Sequence, residues 1–161
     1  MHAERRIYAD DESLARAVAQ HVVTLANDTR SKRRPFTLTL AGGSTPRPAY
    51  ELLATPAYAD RIEWERVHVF WSDERCVPPD HVESNYRMVR EALLDRVPIP
   101  DENVHRMRGE LPPEEAARAY EVEIRDLFRE IDVTGFDLIL LGLGEDGHTA
   151  SLFPGTAALD E

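Results

Sequence analysis

Three times in 161 residues an apolar, strand-forming run ends abruptly in a cluster of small and polar residues. Phe36-Thr37-Leu38-Thr39-Leu40-Ala41 gives way to Gly42-Gly43-Ser44-Thr45-Pro46, and Val67-His68-Val69-Phe70-Trp71-Ser72 to Asp73-Glu74-Arg75-Cys76-Val77-Pro78. Phe136-Asp137-Leu138-Ile139-Leu140-Leu141 runs into a glycine-rich stretch from Gly142 to Gly155. The segments between these runs carry helical periodicity. Such alternation predicts an α/β fold, a Rossmann-like open and mostly parallel sheet with helices on both faces. In a parallel sheet the three polar clusters emerge at one edge, which is where open α/β sheets place their ligands.

The intervening helices announce their own starts. Asp10-Asp11-Glu12-Ser13 is a capping cluster for a helix with the apolar stripe Leu14, Val18, Val22 and Leu25, and His21 is expected to lie partly buried beside it. Arg30, Lys32, Arg33 and Arg34 close that segment as a solvated basic end. The proline after Ser44-Thr45 predicts a helix from about Arg47 to Leu53. Glu83-Ser84-Asn85-Tyr86 opens another, with Met88, Val89, Ala92 and Leu93 inward. Pro112-Pro113-Glu114-Glu115 opens a longer one, whose face of Ala116, Tyr120, Ile124, Leu127, Phe128 and Ile131 is expected to be core. Arg6–Ala9 and Val104–Met107 are expected as short strands. The apolar run 136–141 predicts a strand buried on both faces in the interior of the sheet.

Thirty acidic against 19 basic residues give a net charge of −11, which argues against nucleic acid or an anionic membrane as the main partner. A small anion remains compatible where positive groups gather locally. The single cysteine, Cys76, allows no internal disulfide, which fits a reducing compartment. No run approaches bilayer-spanning length, and the opening residues lead to no signal-like apolar segment, so a soluble cytoplasmic protein is expected.

The third cluster carries the chemistry. His148 sits in a glycine-flexed loop with Asp146 two residues before it and hydroxyls at Thr149 and Ser151 after it. Histidine is the side chain best matched to proton transfer near neutrality, so Gly142–Gly155 reads as a catalytic loop. Gly142, Gly144 and Gly147 also spell G-x-G-x-x-G. Glu145 and Asp146 would place two negative charges where a pyrophosphate must approach, however, and Pro154-Gly155 cuts short the helix that pattern needs. At the first cluster, free N–H groups at a helix start, with the Ser44 and Thr45 hydroxyls and Arg47, could hold an anion. An ordinary capped loop would look the same, and spacing alone leaves both readings open. Cys76, His81 and Glu83 match no zinc spacing, so no metal site is expected.

As a set, Ala41-Gly42-Gly43-Ser44-Thr45-Pro46, Asp73-Glu74-Arg75-Cys76-Val77-Pro78 with Glu83-Ser84-Asn85-Tyr86, and Gly142 through Gly155 resemble the family of 6-phosphogluconolactonase and glucosamine-6-phosphate deaminase. The likeness extends over nearly the whole chain in order and spacing. It implies hydrolysis of 6-phospho-D-glucono-1,5-lactone to 6-phosphogluconate in the pentose phosphate pathway, without metal or organic cofactor. It implies His148 as the general base that activates water, Asp146 as the group that orients the imidazole or favours its cationic form, and Arg75 as the cation for phosphate or for charge on the carbonyl oxygen. Gly42, Gly43, Ser44 and Thr45, together with Arg75, Asn85 and Gly147, are the implied substrate- and phosphate-binding residues. The deaminase branch follows its histidine with a run ending in a glutamate that assists catalysis. Here His148-Thr149-Ala150-Ser151-Leu152-Phe153 puts Phe153 in that place, and an apolar ring cannot exchange a proton. No G-x-S-x-G elbow is present, so a serine nucleophile is not expected.

Members of that family continue past the histidine loop. The chain is therefore expected to be a single α/β sugar-phosphate-binding domain over 1–161 that lacks C-terminal strands and helices, with poor turnover alone and self-association through an exposed sheet edge. Two other functions fit the same residues: an aminosugar-phosphate deaminase or isomerase, disfavoured by Phe153, and a non-catalytic sugar-phosphate-sensing module, disfavoured by the pairing of His148 with Asp146.

Overall fold

The structure, a computed structural model, describes residues 3–160. Its elements run α1 (Asp11–Ser31), β1 (Phe36–Leu40), α2 (Arg47–Leu53), α3 (Pro56–Ala59), β2 (Val67–Trp71), α4 (Asn85–Ala92), α5 (Pro113–Glu130) and β3 (Leu138–Ile139), with short 3-10 turns between them. The three strands form one parallel sheet in the order β2-β1-β3. Leu38 sits opposite Val69 on one side and Leu138 on the other. This is the open parallel α/β arrangement that the strand–loop–helix rhythm predicts.

Alternation along β1 and β2 assigns the two faces. Phe36, Leu38, Leu40, Val67, Val69 and Trp71 join Ala19, Val22, Tyr50, Leu53, Val89 and Leu93 in one buried cluster, so α1, α2 and α4 cover that face. The opposite face, bearing His68 and Phe70, meets α5: the Phe70 ring lies 6.4 Å from Tyr120 and 6.2 Å from Phe128. The Tyr120 hydroxyl accepts from the Trp71 backbone N–H at 2.9 Å, and burial pushes this phenol above its ordinary titration range.

Local signals explain most boundaries. Asp10 caps α1, its Oδ1 accepting from the Ser13 N–H at 2.7 Å. Ser84 caps α4 and accepts from Arg87 N–H at 3.2 Å. The helix after the first polar cluster spans the expected residues, Arg47–Leu53.

Several expectations are corrected. Residues 6–9 form no strand; Ile7 is exposed and finds no sheet to join. His21 is exposed, because the buried face of α1 is centred on Ala15, Ala19, Val22, Val23 and Ala26, with Leu14, Val18 and Leu25 at its flanks. Val104 makes a single bridge to Val69 rather than a strand. On α5 only Tyr120 is fully buried; Ala116, Ile124, Leu127, Phe128 and Ile131 are half-covered. The run 136–141 pairs only through Leu138–Ile139, lies at the edge of the sheet, and leaves Ile139 and Leu141 exposed. An apolar sequence permits an interior strand but does not supply the neighbour that would make it one. No helix among the described residues is long and apolar enough to cross a membrane.

Candidate active site

The C-terminal ends of the strands enclose a cleft of about 340 Å³. One wall is the β1–α2 loop, Gly42 to Pro46; the floor carries Ser72, Asp73, Arg75 and Asn85; the far wall is Leu141 to Gly144 with His148 and Ala150. The parallel topology brings together segments up to a hundred residues apart, and every cluster singled out in the sequence contributes to this one space.

The β1–α2 loop is anchored from below. Tyr50 is fully buried, and its hydroxyl both accepts from the Ala41 N–H at 3.0 Å and donates to the Ala41 carbonyl at 2.9 Å. The loop above has N–H groups at Gly43, Ser44 and Thr45 with no acceptor among the described residues, and the two hydroxyls are likewise without protein partners. Unpaired N–H donors converging at a cleft are the ingredients of an anion cradle. Arg47 does not take part: it turns outward to Glu51 at 2.9 Å and lies outside the cleft lining.

Arg75 is exposed at the mouth of the cleft and has no carboxylate partner among the described residues. Arg34, Arg47, Arg87, Arg106 and Arg125 are paired with acids, whereas Arg33, Arg61, Arg96 and Arg108 share Arg75's lack of a carboxylate partner but do not line the cleft. Asn85 is buried and donates from Nδ2 to the Asp73 carbonyl at 3.0 Å.

His148 is held on several sides. Its Nδ1 lies 2.5 Å from Asp146 Oδ1, which also accepts from the His148 backbone N–H at 3.1 Å. These backbone and side-chain bonds hold the Asp146 carboxyl below its usual range, so it is ionised at neutral pH. In the neutral imidazole, an ionised acceptor at Nδ1 places the proton there and the lone pair on Nε2. The ring lies against Gly144, where a Cβ would stand only 2.1 Å from Nδ1. Its neighbour on another side is Phe153, stacked with centroids 4.4 Å apart and 29° between planes. Gly147 permits the turn itself, with φ of +87°, a region costly for any side chain bearing a Cβ. Asp146 and Gly147 therefore shape the loop from behind and do not line the cleft.

Two residues named above only as members of their clusters tie the walls together. The Ser151 hydroxyl donates to Asp73 Oδ2 at 2.7 Å, bridging the histidine loop to the β2 loop. Asp73 itself lines the cleft. The only sequence hint was its place in the polar cluster after β2. Of Cys76, His81 and Glu83, His81 Nδ1 is 3.9 Å from Glu83 Oε2, while Cys76 lines a separate, largely apolar hollow of about 550 Å³ beside α5. Among the described residues no group of three metal-ligating side chains forms.

Comparison with known proteins places this geometry. The profile of the family described as glucosamine-6-phosphate isomerases/6-phosphogluconolactonase matches residues 9–161. A 6-phosphogluconolactonase from Synechocystis sp. is 49% identical over 142 residues, covering 86% of this chain and 57% of that protein. The crystal structure of 6-phosphogluconolactonase from Thermotoga maritima superposes with a TM-score of 0.74 at 39% identity, covering 86% of this chain and 60% of that one. The 6-phosphogluconolactonase structure from Trypanosoma brucei gives a TM-score of 0.78 at 32% identity, with 97% and 65% covered. The chain thus spans somewhat over half the length of these relatives.

Proposed function

Because this chain belongs to the glucosamine-6-phosphate isomerase/6-phosphogluconolactonase family, we propose that the protein hydrolyses 6-phospho-D-glucono-1,5-lactone to 6-phosphogluconate, a step of the pentose phosphate pathway. The observation that supports this reading is an imidazole, bonded through Nδ1 to Asp146, that lines the same small cleft as the Gly43, Ser44 and Thr45 loop with its unpaired N–H groups.

The substrate's phosphate is an anion with acceptor oxygens on every side. The Gly43, Ser44 and Thr45 N–H groups, the two hydroxyls and the Arg75 guanidinium supply donors and charge for it. Asn85 and Gly42 complete that wall. The lactone carbonyl then lies toward His148. A water molecule attacks C1 while Nε2 takes its proton, forming the new C–O bond. The imidazolium formed is stabilised by the Asp146 carboxylate at Nδ1. Collapse of the tetrahedral intermediate breaks the bond from C1 to the ring oxygen. The imidazolium returns its proton to that oxygen, opening the ring and restoring the neutral base. An activated ester needs no more than this, so a nucleophilic serine or an organic cofactor has no step to perform.

Phe153 separates this from aminosugar chemistry. Its ring lies on His148 and has no titratable atom, so the proton transfers of a deaminase lack a carrier there. We further propose a soluble, reducing compartment, in keeping with the single, exposed cysteine. The test is acid release from 6-phosphogluconolactone by the whole protein. Turnover above the spontaneous rate that is lost in His148→Ala is expected; equal rates in both proteins would defeat the reading, and tight phosphate binding without turnover would favour a sensor.

A further inference from the structure

Resting on the sugar-phosphate reading of the same cleft, we propose that Glu74 is a positioning residue that sets Arg75 and Asn85 for the substrate's phosphate. Its carboxylate does not line the cleft. It is turned away, against the start of α4, where it accepts four hydrogen bonds. Oε1 takes the Arg75 N–H at 2.7 Å and the Asn85 N–H at 2.7 Å. Oε2 takes the Tyr86 N–H at 2.8 Å and the Ser84 hydroxyl at 3.0 Å.

The physical consequence is twofold. Helix starts attract anions through unpaired N–H groups and the aligned peptide dipoles. At α4 the protein's own carboxylate already fills that role, so the β1–α2 loop and Arg75 are left as the place for an external anion. The same carboxylate also fastens the backbone of Arg75 to the first turn of α4, ten residues further along. On its other side the Arg75 carbonyl is packed against Gly109, where a Cβ would stand 2.3 Å from that oxygen. The guanidinium thus extends, exposed and unpaired, from a backbone fixed on both sides.

Asn85 is set by the same bond. Its N–H goes to Glu74, and its side-chain amide fills the space beside Gly42, where a Cβ would lie 1.8 Å from Oδ1. Gly42 opens the anion cradle. Glu74 therefore connects, through Asn85, the loop after β2 to the loop after β1. A displacement of about 1 Å in such a charged contact is enough to cost on the order of a hundredfold in rate or affinity.

The experiment measures KM and kcat for 6-phosphogluconolactone and the inhibition constant of inorganic phosphate, with unphosphorylated glucono-1,5-lactone as reference substrate. It compares wild-type, Glu74→Ala and Glu74→Gln whole protein. We expect Glu74→Ala to raise both KM and the phosphate inhibition constant by about tenfold or more. Its preference for the phosphorylated lactone should shrink. Glu74→Gln keeps one acceptor oxygen for Arg75 and Asn85 and is expected to fall between; if the alanine variant fails to fold, the glutamine variant carries the test. A lower kcat with KM and phosphate inhibition unchanged would mean a merely structural carboxylate and would overturn the proposal, as would wild-type constants in both variants. Failure of the hydrolase reading looks different. Wild-type protein would then turn over no lactone, and phosphate affinity measured by calorimetry that still depends on Glu74 would support the positioning role alone.

Discussion

The two walls of the cleft rest on unequal foundations. The cradle wall leaves β1, all five of whose residues are buried, and its corner is locked by the buried Tyr50 hydroxyl. The histidine wall leaves β3, a two-residue edge strand, and residues 151–160 beyond it are exposed throughout. One wall is held by a core shared among α1, α2 and α4. The other is held by the short pairing of β3 with β1, by Phe136 against Phe70 and Phe128, and by a few polar bonds: Thr149 to the Gly142 carbonyl at 2.9 Å, Ser151 to Asp73, and Asp137 to Arg34 and Thr37. The difference teaches that the two walls draw their support from different parts of the fold, so local stability can be lowered in one with less effect on the other.

The sharpest way to break this contrast is to remove equal side chains from each region. Leu38 is fully buried and Leu143 is 81% exposed. Leu38→Ala should cost about 3–4 kcal/mol in denaturant unfolding, and Leu143→Ala about 0.5 kcal/mol or less. Equal costs would erase the distinction.

Asp137 is a polar tether of the weaker wall. It takes the Arg34 guanidinium through two bonds, at 2.5 and 2.9 Å, and the Thr37 N–H at 2.9 Å. Burial alone would raise this carboxyl, but the Arg34 and Thr37 donors outweigh it and hold it below the usual carboxylate range. Its stabilisation is therefore present near neutrality and lost as pH falls through the depressed value. Asp137→Ala leaves Arg34 half-buried without a partner and should cost about 2 kcal/mol. Hydrogen exchange should then accelerate around β3 while the amides of β2 stay protected.

Phe153→Ala removes the ring stacked on His148 and nothing from the core. We expect kcat to fall about tenfold with the unfolding midpoint unchanged, because the imidazole loses a packing partner that fixes its plane. Steady-state kinetics alongside thermal unfolding checks both halves of that statement.

The smallest effect concerns the face of β2 that meets α5. His68 Nδ1 lies 3.0 Å from His105 Nε2, and His105 Nδ1 lies 2.8 Å from Glu123 on α5. Burial first, and the neighbouring His105 second, push His68 down to about 4. The unfolded chain takes up a proton near 6.5 that the folded chain refuses until about pH 4, so stability declines as pH drops through that window. With partial solvent screening this amounts to about 1 kcal/mol. Unfolding measured at pH 7 and pH 4.5, in wild type and His68→Gln, should show the variant losing less on acidification.

The same contrast governs what was legible in the sequence. β1, its polar loop and α2 were readable because local chemistry decides them: β-branched alternation, a glycine pair, then proline. The capping of α4 by Ser84 was written in the segment itself. The histidine loop that lines the cleft could be singled out from His148, Asp146 and the surrounding glycines. What could not be read depends on distant partners. Arg34 looked like a solvated helix end, yet its acid lies 103 residues away. Glu74 looked like one charge in a cluster, yet its partners at Ser84, Asn85 and Tyr86 are met only after the chain turns back. The run 136–141 looked interior because its composition shows what it could bury, not what lies beside it.

The central claim, that an imidazole and an anion cradle share one ligand, is tested most directly by titrating isotope-labelled whole protein with 6-phosphogluconate and following it by NMR. The account predicts that the Gly43, Ser44 and Thr45 amides and the His148 ring resonances shift together, along a single saturation curve. Saturable binding that moves one wall and leaves the other unperturbed would contradict it.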